Sequence, residues 1–226
     1  MSALPVLIFD FDGTVSLGPG PVRAYATAVA ELGGGGSALT ADIDRRLQRD
    51  AGRSLDGYEI VREVALAHGV GEQQLSRGYL ASRELLATPA APVEVPSGLE
   101  TFLRGARAER ILLTNAPRTR IDAALAALGL AGAFDRVITD AGKPAGLVAL
   151  LEELDATGER RRVLSIGDVW RNDLAPAHDR GHTTALVGGL LPVDATPDFA
   201  AETVTDLLPD FRRWLSDPAP AAVSDN

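Results

Sequence analysis

VLIFDFDGTV, residues 6–15, passes from apolar to acidic within five positions. A short continuous apolar run of this kind reads as a strand buried on both faces. The two carboxylates that follow, Asp10 and Asp12, therefore stand where a buried strand ends. Side chains two apart on an extended segment point the same way, and Gly13 permits a sharp exit that opens both acids to solvent. Taken alone, Asp-x-Asp after a strand reads as a turn or a helix cap, so its meaning depends on the rest of the chain.

Apolar runs like that at 4–9 recur at 111–113, 137–139, 163–166 and 183–187, giving five expected strands. Between the later ones, Ile121, Leu125 and Leu128, then Leu147, Leu150, Leu151 and Leu154, fall at three- and four-residue spacing. Each set lays one apolar stripe against a sheet. Such alternation predicts an α/β fold: a parallel sheet with right-handed crossovers, covered on both faces as a three-layer, Rossmann-like core.

The stretch 17–96 breaks that rhythm, with helical patterns at 22–32, 41–51, 58–67 and 72–87 and no convincing strand. LGPGP at 17–21 and TPAAPVEVP at 88–96 bound it with residues that end helices and form hinges. The expected organisation is a core from 1–16 and 97–215, a helical insertion over 17–96, and a tail over 216–226 of disordered composition. A short helix is expected around 210–215, and the Gly33 to Gly36 run reads as an inter-helix loop because no strand precedes it.

Bulk properties narrow the function. Of 226 residues, 46% are apolar and 23% charged, and no apolar run approaches the roughly 18 residues of a membrane span. There are no cysteines, which excludes disulfides, thiolate metal sites and cysteine nucleophiles. With 31 acidic against 22 basic residues and no basic stripe, the footprint of a nucleic-acid binder is missing. MSALPVLIFD lacks the basic region and cleavage site of a signal peptide, so a cytoplasmic location is the expectation.

In an open parallel sheet, ligands bind beyond the carboxyl ends of the strands. Those positions hold Asp10, Asp12, Gly13 and Thr14 after the first run, and Thr114 and Asn115 after the second. Lys143 lies near the third, and Gly167, Asp168, Asn172 and Asp173 follow the fourth. Acids, small hydroxyl and amide groups and one lysine suit a divalent cation with an anion. Carboxylate oxygens suit a hard ion such as Mg2+.

DFDGT at 10–14, TN at 114–115, Lys143 before Pro144 and GDVWRND at 167–173 together resemble the four ordered motifs of the haloacid dehalogenase superfamily. The match spans nearly the whole chain, and the insertion sits where that superfamily's first type of helical cap would stand, as in its phosphoglycolate phosphatase-like and beta-phosphoglucomutase-like members. The resemblance implies that Asp10 attacks phosphorus to give an aspartyl phosphate, while Asp12 protonates the leaving oxygen and later activates water. It implies a Mg2+ held by Asp10, the backbone carbonyl of Asp12 and Asp168, with Asp173 in support. Thr114 and Asn115 would bind phosphate, and Lys143 would stabilise its charge.

The single motifs have plainer readings. Thr114 and Asn115 could end a strand before a helix opened by Pro117. Lys143 beside an expected helix start opposes the helix dipole by a few tenths to about 1 kcal/mol. Asp173 in a first helical turn is favourable anyway. His178 and His182 have metal-pair spacing, but Gly181 ends the helix between them; His68 reads as a helix C-terminal residue.

Dehalogenase members generally lack an acid two positions after the nucleophile, since a leaving halide needs no proton; Asp12 thus favours phosphate ester cleavage. The expected activity is Mg2+-dependent hydrolysis of a small-molecule phosphomonoester. A phosphomutase using the same intermediate is the alternative, and a non-catalytic phosphate-ligand-binding protein a third. Substrate choice should rest with the insertion, where Arg53 and Tyr58 in AGRSLDGY are the first candidates and Arg23 and Tyr25 weaker ones. The expected state is monomer or homodimer, with neither nucleic acid nor membrane as partner.

Overall fold

The computed structural model describes residues 4–49, 57–156, 161–188 and 191–217. Val6–Phe9 forms β1, and all four of its residues are buried. The chain then turns into four helices: α1 (Gly20–Gly33), α2 (Gly36–Arg49), α3 (Gly57–Ala67) and α4 (Glu72–Arg83). Their apolar stripes close on one another around Val29, Leu39, Ile43, Val61 and Leu75, a cluster separate from the sheet's. The Gly33 to Gly36 run is almost consumed by helix ends. Gly34 takes a left-handed φ of 68° and caps α1, and α2 starts at Gly36, five residues earlier than its apolar pattern suggests. Arg53 lies outside the described residues.

The segments leading into and out of these helices meet. Leu17 and Glu94 exchange two backbone hydrogen bonds, at 2.8 and 2.9 Å, as an isolated antiparallel bridge. The two proline- and glycine-rich stretches at 17–21 and 88–96 thus run side by side, a paired connection between insertion and sheet. α4 stops at Arg83, short of the expected 87, because the chain turns there and Ala87 adopts a φ of 57° that no helix accommodates.

After α5 (Leu99–Gly105), strand and helix alternate: β2 (Glu109–Leu113), α6 (Ile121–Ala127), β3 (Arg136–Ile138), α7 (Ala145–Asp155), β4 (Val163–Gly167), a π-helical turn at Trp170–Leu174, α8 (Ala175–His178), β5 (Thr183–Val187), β6 (Phe199–Ala201) and α9 (Val204–Ser216). Among the described residues the sheet has six strands in the order β3-β2-β1-β4-β5-β6, all parallel. β6 escapes a reading by period because Phe-Ala-Ala is short and has little strand preference; pairing with β5 makes it a strand. α9 is also longer than the expected 210–215. It starts after Thr203, whose backbone N–H and hydroxyl donate to Asp206 at 3.1 and 2.8 Å, a cap that an apolar count overlooks.

Alternation along β1 divides the core into layers. Leu7 and Phe9 face α5, α6 and α9, where Leu99, Leu103, Ile121, Leu207 and Phe211 are buried with them. Val6 and Ile8 face Leu147, Leu150, Leu151 and Leu154 of α7. Each such side chain contributes about 1.5–3 kcal/mol by leaving water. The order places the topological switch between β1 and β4, since the chain works outward from β1 through β2 to β3 and then restarts at β4. The crevice beyond the carboxyl ends of those two strands is where such sheets bind ligands.

Candidate active site

Asp10 follows β1 directly, and its backbone N–H donates to the Ile166 carbonyl of β4 at 2.9 Å. Phe11 turns into the core while Asp12 returns to the side of Asp10, so both acids line one cavity of about 460 Å3. Its floor includes Thr114, Lys143, Asp168 and Asp173; Val22, Gly57, Tyr58 and Tyr79 of the helical insertion line it from above.

The floor is held together by ion pairs. Lys143 Nζ donates to Asp10 Oδ1 and to Asp173 Oδ1, each at 2.6 Å, with all three side chains at least nine-tenths buried. Lys143 precedes Pro144, the N-cap of α7. Its backbone N–H donates to Asn115 Oδ1 at 2.6 Å, so the loop after β2 fixes the loop after β3. Burial alone would lower the lysine pKa, but the two carboxylates outweigh it and hold the ammonium charged well above its usual range. The cation at a helix start is thereby explained: its partners are acids, which dominate the few tenths of a kcal/mol from the dipole.

Asp173 sits on the π-helical turn, and its neighbourhood fixes it. Val169 N–H donates to Oδ2 at 2.9 Å, and Ser165 Oγ donates to its backbone carbonyl at 2.6 Å. Burial first, then the charge of Asp10, push its carboxyl above the ordinary carboxylate range, with Lys143 opposing them. Thr114 is buried and its Oγ accepts from the Ala116 N–H at 3.0 Å, which leaves the hydroxyl proton available to donate.

Asp10, Asp168 and Asp173 each bring one carboxylate oxygen to within 4.8 Å of the others. Three hard oxygen donors at that separation fit a cation such as Mg2+. Glycine makes this approach possible. Gly13 has a φ of 83°, and a Cβ there would lie 2.3 Å from Asp168 Oδ2. Gly13→Ala should therefore cost about 1–3 kcal/mol in urea unfolding and lower turnover further by displacing Asp168. A variant that unfolds and turns over like the parent would show that the close approach is dispensable.

Asp12 occupies different surroundings. Its side chain is 23% exposed and meets Arg83, whose Nη1 lies 3.0 and 3.1 Å from its two oxygens. Burial raises the Asp12 pKa and Asp10 adds to the rise, while Arg83 opposes both; the net shift is upward. Arg83 is itself only 1% exposed, and the same nitrogen donates to the Tyr58 hydroxyl at 3.2 Å. Sequence reading overlooks this arginine. Its one signal is that Arg83 falls on the stripe of Leu75, Tyr79 and Leu86, and a cation on an apolar stripe requires a buried anion.

The motif residues Asp10, Asp12, Thr114, Asn115, Lys143, Asp168 and Asp173 all line this cavity, as does Tyr58. Tyr25 is buried beside Tyr58 and Tyr79, with ring centroids 5.7 and 5.8 Å away, and burial pushes its pKa up to about 12. Arg23 is exposed on α1. His178 ends α8 with Nε2 3.1 Å from Thr196 Oγ, and Gly181 turns the chain at φ 71° before His182. His68 follows α3 and pairs with Asp42 at 2.7 Å.

The model of haloacid dehalogenase-like hydrolases matches residues 4–179. The chain belongs to that family. A search of curated proteins finds no match. Among solved structures, this hydrolase is similar to a "predicted phosphoglycolate phosphatase" from Haemophilus somnus 129PT, at 16% identity over 93% of this chain and 99% of that one, TM-score 0.64. It is also similar to the L-2-haloacid dehalogenase of Xanthobacter autotrophicus, at 20% identity over 92% and 98%, TM-score 0.57. A third likeness is to a "putative beta-phosphoglucomutase" from Thermotoga maritima, at 18% identity over 93% and 99%, TM-score 0.54. At these identities the likeness is one of fold. Among the described residues, no helix is long and apolar enough to cross a membrane.

Proposed function

We propose that this hydrolase cleaves a small-molecule phosphomonoester through a phosphorylated Asp10, with Mg2+ as cofactor. The observation that carries the reading is Asp12: a second carboxylate facing the same cavity as Asp10, in surroundings that raise its pKa. A halide leaves without a proton, whereas an alkoxide needs one, and a carboxyl held above its usual range is suited to give it.

In the first step an Asp10 oxygen bonds to phosphorus as the ester P–O bond breaks, and the Asp12 proton goes to the departing oxygen to give the alcohol. In the second, Asp12, now a carboxylate, takes a proton from water as the water oxygen bonds to phosphorus and the bond from phosphorus to the Asp10 oxygen breaks, its electron pair returning to the Asp10 carboxylate. Phosphate leaves, and both acids are regenerated. Lys143, 2.6 Å from Asp10, fixes the attacking carboxylate in place and offsets charge on the transferring group. Thr114 and Asn115 bind the phosphate oxygens.

Asp10, Asp168 and the Asp12 carbonyl would hold Mg2+, with Asp173 in support; when bound, the ion neutralises phosphate charge and polarises the group for attack. The helices over 17–96 act as the cap domain on a core of 1–16 and 97–215. Tyr58, and Arg53 beside it in sequence, would contact the leaving group. Release of inorganic phosphate from a panel of phosphorylated metabolites should require Mg2+, cease with EDTA and return on adding the ion back. Turnover in EDTA would contradict the cation site, and isomerisation without phosphate release would identify a mutase.

A further inference from the structure

Arg83 is the bulkiest fully buried side chain among the described residues, and it carries a charge. It ends α4, the last helix of the insertion, yet its guanidinium is directed at Asp12 in the loop after β1. Nη1 makes all its hydrogen bonds, to both Asp12 oxygens and to Tyr58, while Nε and Nη2 are buried without a partner among the described residues. The only other buried side-chain atoms without a partner there are the hydroxyls of Thr14 and Ser16, in Asp12's own loop.

An arginine selected only to fasten two parts of a protein uses its fork, because two parallel N–H bonds to a carboxylate are stronger than one nitrogen bonding to both oxygens. Here stability is left ungained on both sides of the contact. Such gathered, unpaired groups mark places where function sets the residues. The contact also has a third member. Tyr58 of α3 accepts from the same nitrogen and forms part of the cavity wall. Burial and the Asp12 charge raise its pKa and keep the phenol neutral.

We propose that Arg83 is a positioning residue for proton transfer: carried by the insertion, it holds the Asp12 carboxyl toward the leaving oxygen, and through Tyr58 it links that hold to what occupies the cavity. The proposal rests on the reading of Asp12 as the acid. A leaving group seated against Tyr58 and the acid that protonates it are then held by one guanidinium. Specificity and proton delivery are thereby coupled in a single contact between insertion and core.

A tether and a positioner differ in leaving-group dependence. An alkyl phosphate requires a proton for its alkoxide, whereas p-nitrophenyl phosphate releases a stabilised phenolate that scarcely needs one. kcat/KM reports the steps through departure of the leaving group. Arg83→Met should therefore lower kcat/KM on the best alkyl ester on the order of ten-fold more than on p-nitrophenyl phosphate, with Arg83→Lys between parent and Met. Asp12→Asn, measured in parallel, should show the same selectivity more strongly.

Equal losses on the two esters in Arg83→Met would reduce the residue to a tether and overturn the proposal, as would no loss on either. If Arg83→Met does not fold, the same ratio in Arg83→Lys decides. If Asp12→Asn itself loses equally on both esters, the assignment of Asp12 as acid fails, and this proposal with it. If Asp12→Asn is selective and the Arg83 variants are not, only the positioning role is lost.

Discussion

Asp10→Asn is expected to lower turnover of a phosphate ester by at least about 10⁴-fold, since an amide oxygen is too weak a nucleophile to take its place. The fold should survive. Lys143 keeps its 2.6 Å bond to Asp173, the new amide still offers an oxygen to accept from it, and the repulsion between two buried carboxylates disappears. A thermal midpoint at or above the parent's, combined with lost turnover, is the expected pair of results. A variant that hydrolyses the ester at near the parent rate would remove Asp10 as nucleophile.

Lys143→Met should have the largest effect on stability. The ammonium is the cation shared by Asp10 and Asp173, and the lysine side chain is 4% exposed. Removing it leaves two carboxylates, their ligand oxygens within 4.8 Å, facing each other out of water. Breaking a buried pair in this way costs about 3–5 kcal/mol, read as a lowered urea midpoint in metal-free buffer at neutral pH. Mg2+ should raise that midpoint more in the variant than in the parent, because the ion can stand in for the missing charge. Lys143→Met with Asp173→Asn should regain much of the loss, because one of the two like charges is gone. Turnover should also fall by about 10²–10³-fold from lost charge stabilisation. Parent-like unfolding of the single variant would mean that the ion pairs contribute nothing.

The core was legible because its two periods agree with its topology. Four-residue runs such as Val6–Phe9, buried on both faces, cannot be confused with the stripes of α6 and α7, and their alternation leaves few topologies. What escaped was structure without a periodic signature: β6, a strand by virtue of β5, and the first turns of α9, set by the Thr203 and Asp206 hydrogen bonds. The same distinction holds at the cavity. Asp10, Thr114, Lys143 and Asp168 each follow a strand or precede a helix, where local sequence announces them. Arg83 reaches Asp12 across 71 positions of chain, and nothing local to SREL names its partner. Long-range pairs between an insertion and the core are decided by how the two pack, which a period cannot state.

The central claim is a transient bond between an Asp10 oxygen and phosphorus. Rapid acid quench during turnover of a phosphate ester, followed by mass mapping of the digested protein, looks for that bond. The expected result is a hydroxylamine-labile phosphoryl group on the peptide bearing Asp10, present at the first turnover, absent from Asp10→Asn, and accumulating in Asp12→Asn. Steady phosphate release with no phosphoryl group on that peptide would contradict it.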